Sequence, residues 1–323
     1  TPTRRQRQMC IRDSHYSLAG QYPVMHVEAI THRKNAIVPM TIVGVPPMED
    51  GYLGEAIGDA FLPVLKFQHR DVIDLFLPLE TGFHNLAIVS SKNRYPRQGR
   101  KTALGLLGAG QMMFLKTIVA VNPEHDAKDL DLLLDALDSK VEISEDLVVL
   151  PGMVADSLAH ASPWENIHDK LLIDATSPVE GDPRSLRAPL VGCPDSLEVS
   201  ASGIDGVVQA RMLRSSMLVV TTNIEGGPSP SENVETDNEE GARMQREKIC
   251  SIRDSIWSLE GSANLRWLFI TDSDVDLSED YWKRTLLWQF FCRFDVGRDL
   301  HFDSDRRRAV SYTHLRAHET NSN

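Results

Sequence analysis

The chain carries one long pattern twice. KTIVAVNPEHD from Lys116, followed by VEISEDLVVL from Val141, returns as RWLFITDSDVD from Arg266, followed by FDVGRDLHF from Phe294. Each copy has a nearly continuous apolar run, an acidic loop, a helical stretch and a second strand entry. The offset of about 150 residues is far beyond solenoid periods, so two duplicated α/β units are expected. The runs at 117–121 (TIVAV) and 267–271 (WLFIT) read as strands covered on both faces, hence central in their sheets, with Val119 and Phe269 buried at equivalent places. Helices 127–137 and 278–291 space Leu130, Leu133, Leu134 and Leu137, and Trp282, Leu286 and Phe290, to cover those sheets.

The remaining pattern extends this alternation. Residues 23–32 and 36–43 are β-branched and partly alternating, which predicts a hairpin turning at Arg33, Lys34 and Asn35. A helix is expected at 52–66, strands at 72–79 and 85–90, a helix at 99–114 and a strand at 147–150. A long loop then runs from Pro151 to about Pro194. Strand 216–222 leads into 225–241, whose Gly, Pro, Ser, Asn and acidic residues predict a mobile solvated loop, and helix 242–258 follows. The fold class is therefore α/β, with mixed or mainly parallel sheets, covering helices and two related units. Residues 15–194 and 195–309 are taken as those units.

The ends read differently. TPTRRQRQMCIRDS and VSYTHLRAHETNSN resist any binary pattern and resemble translated sequencing-adaptor read-through, so 1–14 and 310–323 are set aside as non-native. A net charge of −12 argues against a nucleic-acid footprint, and no apolar stretch is long enough to span a bilayer, so a cytoplasmic protein is expected. Cys10, Cys193, Cys250 and Cys292 lack the spacing of a disulfide framework or zinc site.

Three stretches carry a family likeness: 26–54 (HVEAITHRKNAIVPMTIVGVPPMEDGYLG), 83–116 (FHNLAIVSSKNRYPRQGRKTALGLLGAGQMMFLK) and 158–176 (LAHASPWENIHDKLLIDAT). Together they resemble the UbiD decarboxylases (3-polyprenyl-4-hydroxybenzoate decarboxylase-like), nearly continuously from Tyr16 to Thr176. Beyond Thr176 the likeness is to long-form members and rests on DSDVD at 272–276. The resemblance implies reversible decarboxylation of an aromatic or α,β-unsaturated acid, a quinone precursor among the candidates. It also implies prenylated FMN with Mn2+ and K+, a flavin prenyltransferase as cofactor source, and a homo-oligomer, dimer or hexamer. The family's acidic pair belongs to a Glu-Gly-Pro-(Tyr or Phe)-Gly-(Asp or Glu) segment shortly before YSLAG. QMCIRDS occupies that place here, with Asp13 matching neither neighbours nor spacing. The catalytic acids, the Arg and the upstream flavin-binding domain are therefore expected outside this chain, which would be inactive as it stands.

By position, the resemblance makes Leu53, Asp156 and Leu158 substrate-pocket candidates and puts Gly110 and Gln111 near the flavin phosphate, without the usual basic residue. Leu53 also fits an ordinary core helix position, and 151–162 a solvated loop. Gly105, Gly108 and Gly110 lie at a helix end rather than after a strand, so they are no dinucleotide loop. His26, Glu28 and His32 would share a strand face, but no third or fourth metal ligand accompanies them and no metal site is assigned. Lys170 and Asp174 are expected to pair or cap at a subunit contact. Two functions compete: a (de)carboxylase acting as a whole protein, and a non-catalytic module for assembly and pocket closure.

Overall fold

The computed structural model describes residues 3–6, 20–38, 49–82, 85–156, 159, 161–162, 164, 166–224, 238–278, 282–305 and 307–312. Two short strands, β1 (Thr3–Gln6) and β2 (Gly20–Pro23), pair antiparallel. Residues 3–6 thus join a ladder although their sequence shows no pattern. The expected hairpin of 23–43 is not formed where it is described. Residues 24–38 run without regular structure and leave Met25, Val27, Ile30, Ile37 and Val38 exposed. Alternation alone cannot make a strand: each ladder edge needs a partner, and none pairs with 24–38 among the described residues. Helix α1 (Glu49–Gln68) follows, with Leu62 and Leu65 as its hold on the core and Ile57, Phe61, Val64 and Phe67 exposed.

The first unit contains β3 (Val72–Phe76), β4 (Leu86–Ser91), α2 (Gln98–Leu107), β5 (Thr117–Val121), α3 (Leu130–Lys140), α4 (Ile143–Asp146), β6 (Leu147–Val154) and β7 (Ile167–Asp174). The helix expected at 99–114 ends early. The α-helix closes at Leu107 with Gly108 as its cap, Ala109 is extended, and Gly110–Phe114 follow as a 3-10 turn that Gly110 enters at φ +50°. The expected loop from Pro151 to Pro194 holds β7. The polar triplet His168, Asp169 and Lys170 hid it by breaking the apolar run.

The second unit contains α5 (Ser196–Ser202), β8 (Val207–Arg214), β9 (Met217–Thr222), α6 (Asn238–Trp257), β10 (Trp267–Asp272), α7 (Trp282–Arg293), α8 (Val296–Asp299), β11 (Leu300–Phe302) and β12 (Ala309–Tyr312). Residues 225–237 lie outside the described ones. Val310, Ser311 and Tyr312, set aside above as part of a non-native end, form most of β12, and Val310 is fully buried.

The two sheets have one topology. Their orders are β3-β4-β5-β7-β6 and β8-β9-β10-β12-β11, each with a parallel centre and an antiparallel strand at either edge. β5 and β10 are each third of five. Val119 is buried, whereas Phe269 at the equivalent place is only partly so, packed edge-on to Phe290 at 5.6 Å between ring centres. Leu86, Ile88, Val119 and Ile173 of the first sheet share one core with Met217, Trp267 and Ala309 of the second. Leu133 of α3 and Phe290 and Phe291 of α7 belong to the same core. The helices α2 and α6 cover the opposite faces.

Two buried cations close the seam reciprocally. Lys116, 1% exposed before β5, donates to the carbonyls of Phe294 (2.7 Å) and Phe291 (3.3 Å) at the end of α7. Arg266, 7% exposed before β10, donates to the carbonyl of Asp138 near the end of α3, three residues before Val141 as Phe291 is three before Phe294. Each unit thus satisfies the last carbonyls of the other's helix, where positive charge is also favoured. The four-residue helices match as well. Asp146 accepts from the Glu142 amide at 3.0 Å and Asp299 from the Asp295 amide at 2.7 Å, both carboxylates being fully buried.

Lys116→Met should lower unfolding stability by about 2–3 kcal/mol, because the α7 carbonyls lose their donor. The exposed Lys128→Met should cost less than about 1 kcal/mol. Urea unfolding of the two variants compares them, and equal midpoints would deny the seam this role.

Candidate functional site

Leu53 sits on α1, its side chain outside the described residues. A cavity of about 340 Å³ lies along this helix. Gly51, Gly54 and Gly58 line the helix side, with open space beside Gly58 and Leu79 close against Gly51, and Leu75, Leu77 and Leu79 supply an apolar wall. Charge gathers at the rim, where Lys128 pairs with Glu55 at 2.7 Å and Arg284, well exposed, stands 3.5 Å from Glu80. An apolar floor with loosely held rim charges suits a flat apolar body bearing one ionic group.

Asp156 follows the end of β6, half-buried, and its carbonyl accepts from the Ala159 amide at 2.9 Å; Leu158 lies outside the described residues. Behind it, β7 aims His168 and Lys170 into the protein. Lys170 Nζ donates to the carbonyls of Met113 and Leu115, both at 2.6 Å, and lies 3.1 Å from His168 Nε2. Burial lowers the Lys170 pKa to about 8. Burial, then the positive charges of Lys170 and Lys116, lower that of His168 to about 3. A neutral imidazole accepting at Nε2 from Lys170 carries its proton on Nδ1.

The α1 cavity and the cavity that His168 lines share no residue, and Asp156 lines neither. Gly110 and Gln111 are exposed on the 3-10 turn before β5. The nearby Lys170 is committed to the carbonyls of Met113 and Leu115, so it offers a flavin phosphate no free ammonium. Nor do three or more His, Cys, Asp or Glu side chains converge as a metal site among the described residues. His26, Glu28 and His32 lie in the irregular segment rather than on a strand face.

Lys170 and Asp174 each find separate partners within the chain, Lys170 in the carbonyls of Met113 and Leu115. Asp174 accepts from Thr176 Oγ1 at 2.6 Å and faces Arg184 at 3.4 Å and Arg97 at 3.9 Å. Arg97 and Arg187 each reach Asp146 at 2.6 Å, and Arg184 pairs with Asp182 at 2.8 Å. This cluster at the carboxyl ends of β5 and β7 went unseen in the sequence, because its members are scattered from 97 to 187. The glycine of RQGRK was the available signal: a Cβ on Gly99 would lie 2.5 Å from Thr176 Cγ2 and 2.9 Å from Asp174 Oδ1.

Comparison with known proteins adds the following. Residues 51–175 match the 3-octaprenyl-4-hydroxybenzoate carboxy-lyase C-terminal domain, and residues 13–46 the Rift-related domain of the same carboxy-lyases. Uncharacterized proteins of Archaeoglobus fulgidus and Aquifex aeolicus are each 42% identical over 162 residues. That is 50% of this chain and 34% and 33% of theirs, so the chain spans about a third of the curated relatives it matches. The closed form of Sedimentibacter hydroxybenzoicus vanillic acid decarboxylase superposes with a TM-score of 0.50 at 24% identity. It covers 59% of this chain and 41% of that one, a likeness of fold.

The His168 pKa lies below its ordinary 6.5, so the stability tied to its neutral form is present above pH 6.5 and is lost as pH falls toward 3. Unfolding free energy should drop by about 2 kcal/mol between pH 6.5 and 5 from this group. In His168→Gln that slope should flatten, as read from urea midpoints at each pH; an unchanged slope would place the titration elsewhere.

Proposed function

We propose, from the premise that residues 13–46 and 51–175 belong to the UbiD family as a carboxyl-side region, that this region walls the substrate pocket of a prenylated-FMN-dependent (de)carboxylase. The substrate class is an aromatic or α,β-unsaturated carboxylic acid, with quinone biosynthesis one setting. The observation that carries the reading is the adjacency, in one order, of two domain matches from the same carboxy-lyases.

Leu53, Asp156 and Leu158 are the proposed wall residues. The α1 cavity supports a pocket along the helix that carries Leu53, since its leucine floor suits a ring and Arg284 at its rim is loosely held. Gly110 and Gln111 offer a flavin phosphate backbone amides alone. The flavin, Mn2+ and K+ find no ligand set among the described residues, so no chemical step is assigned to them. Homo-oligomerisation and loading by a flavin prenyltransferase belong to the same proposal. The second reading is a module for assembly and pocket closure with no chemistry of its own.

The purified chain given prenylated FMN, Mn2+, K+ and a panel of aromatic acids should release no carbon dioxide. Turnover would overturn the wall-only role. A coding sequence extended upstream should reveal the paired acidic segment before Tyr16, and an intact gene without it would remove the decarboxylase reading. In a protein that contains it, Leu53→Trp should raise KM at least tenfold by filling the pocket wall, and an unchanged KM would take Leu53 off that wall.

A further inference from the structure

The seam between the two units holds a cavity of about 460 Å³ that belongs to neither unit alone. Trp164, Ile167, His168 and Asp169 come from the first unit, Asp295 and Arg298 from the second.

Its polar groups are unevenly satisfied. Asp295 is 1% exposed and caps α8 through Oδ1, which accepts from the amides of Gly297 and Arg298 at 3.1 Å. Its Oδ2 is buried without a hydrogen-bond partner. His168, 2% exposed, gives Nε2 to Lys170 and has the Val154 backbone beside its ring. Asp169 accepts from the Gly152 amide at 2.8 Å and has no ion pair among the described residues. Arg298 and Lys116 act on Asp295 through their charge but neither forms an ion pair with it, Arg298 being bonded to Asp299 at 2.6 Å, the Arg293 carbonyl at 2.7 Å and the Ala161 carbonyl at 3.1 Å. Opposite them, Trp164 is 70% exposed. Orphaned buried acceptors are costly and ask for a donor.

We propose that this seam cavity is a binding site for a small primary ammonium on a short apolar body. The ammonium supplies three donors and one positive charge to two carboxylates that lack a bonded cation. The apolar body lies along Ile167 and the Trp164 face, where the charge also meets the ring. A metal ion fits less well, because the His168 nitrogen that is left carries the proton and two carboxylates make too few ligands. The acidic wall repels an anion.

The probe is n-butylammonium, titrated into the whole chain by calorimetry, with n-butyrate and n-butanol as controls. Saturable one-to-one binding of butylammonium is expected, with butanol at least tenfold weaker and no binding of butyrate. Asp295→Asn keeps an oxygen for the α8 cap and removes the charge, and should weaken binding at least tenfold. Trp164→Ala, at an exposed position, should weaken it severalfold without shifting the thermal midpoint. The proposal falls if butylammonium does not bind, if butyrate binds as well, or if both variants bind as the parent does.

Discussion

Two cations placed where water cannot reach them hold this molecule in one piece. Lys116 and Arg266 each stand at the entry of a central strand and cross the seam to the carboxyl end of the other unit's helix. A buried charge is tolerated only when polar groups surround it closely, and a helix end offers carbonyls that otherwise lack donors. Each cation therefore solves a problem created by the opposite unit. The shared core of Val119, Ile173, Trp267, Phe290 and their neighbours can then close without leaving polar backbone stranded inside it.

Much of this was legible as repetition. Nearly continuous apolar runs mark β5 and β10 because strands covered on both faces have no solvent side to encode. β7 escaped because its inward positions are His168, Lys170 and Asp174, polar residues made tolerable by carbonyls and arginines far away in sequence. β12 escaped because four residues are too few to show a period. The hairpin expected over 23–43 failed for the opposite reason: β-branched alternation is a local signal, while a strand is a relation between two segments.

The candidate site was legible only by likeness to a family, not by chemistry. Leu53 looks like any helix leucine, and Asp156 like any loop carboxylate, until a fold places them. The Arg97, Arg184, Arg187, Asp146 and Asp174 cluster and the seam cavity have no sequence signature, since each is assembled from segments distant along the chain. Such groups become visible when burial shows which charges have found partners and which have not.

The helix α1 is held by Leu62 and Leu65 and turns Ile57, Phe61, Val64 and Phe67 outward. The two sheets, by contrast, cannot part without stripping donors from helix ends on both sides at once. The anchorage of the fold is thereby shallowest at the amino side of β3, where α1 rests on two leucines, and deepest between the paired sheets behind it.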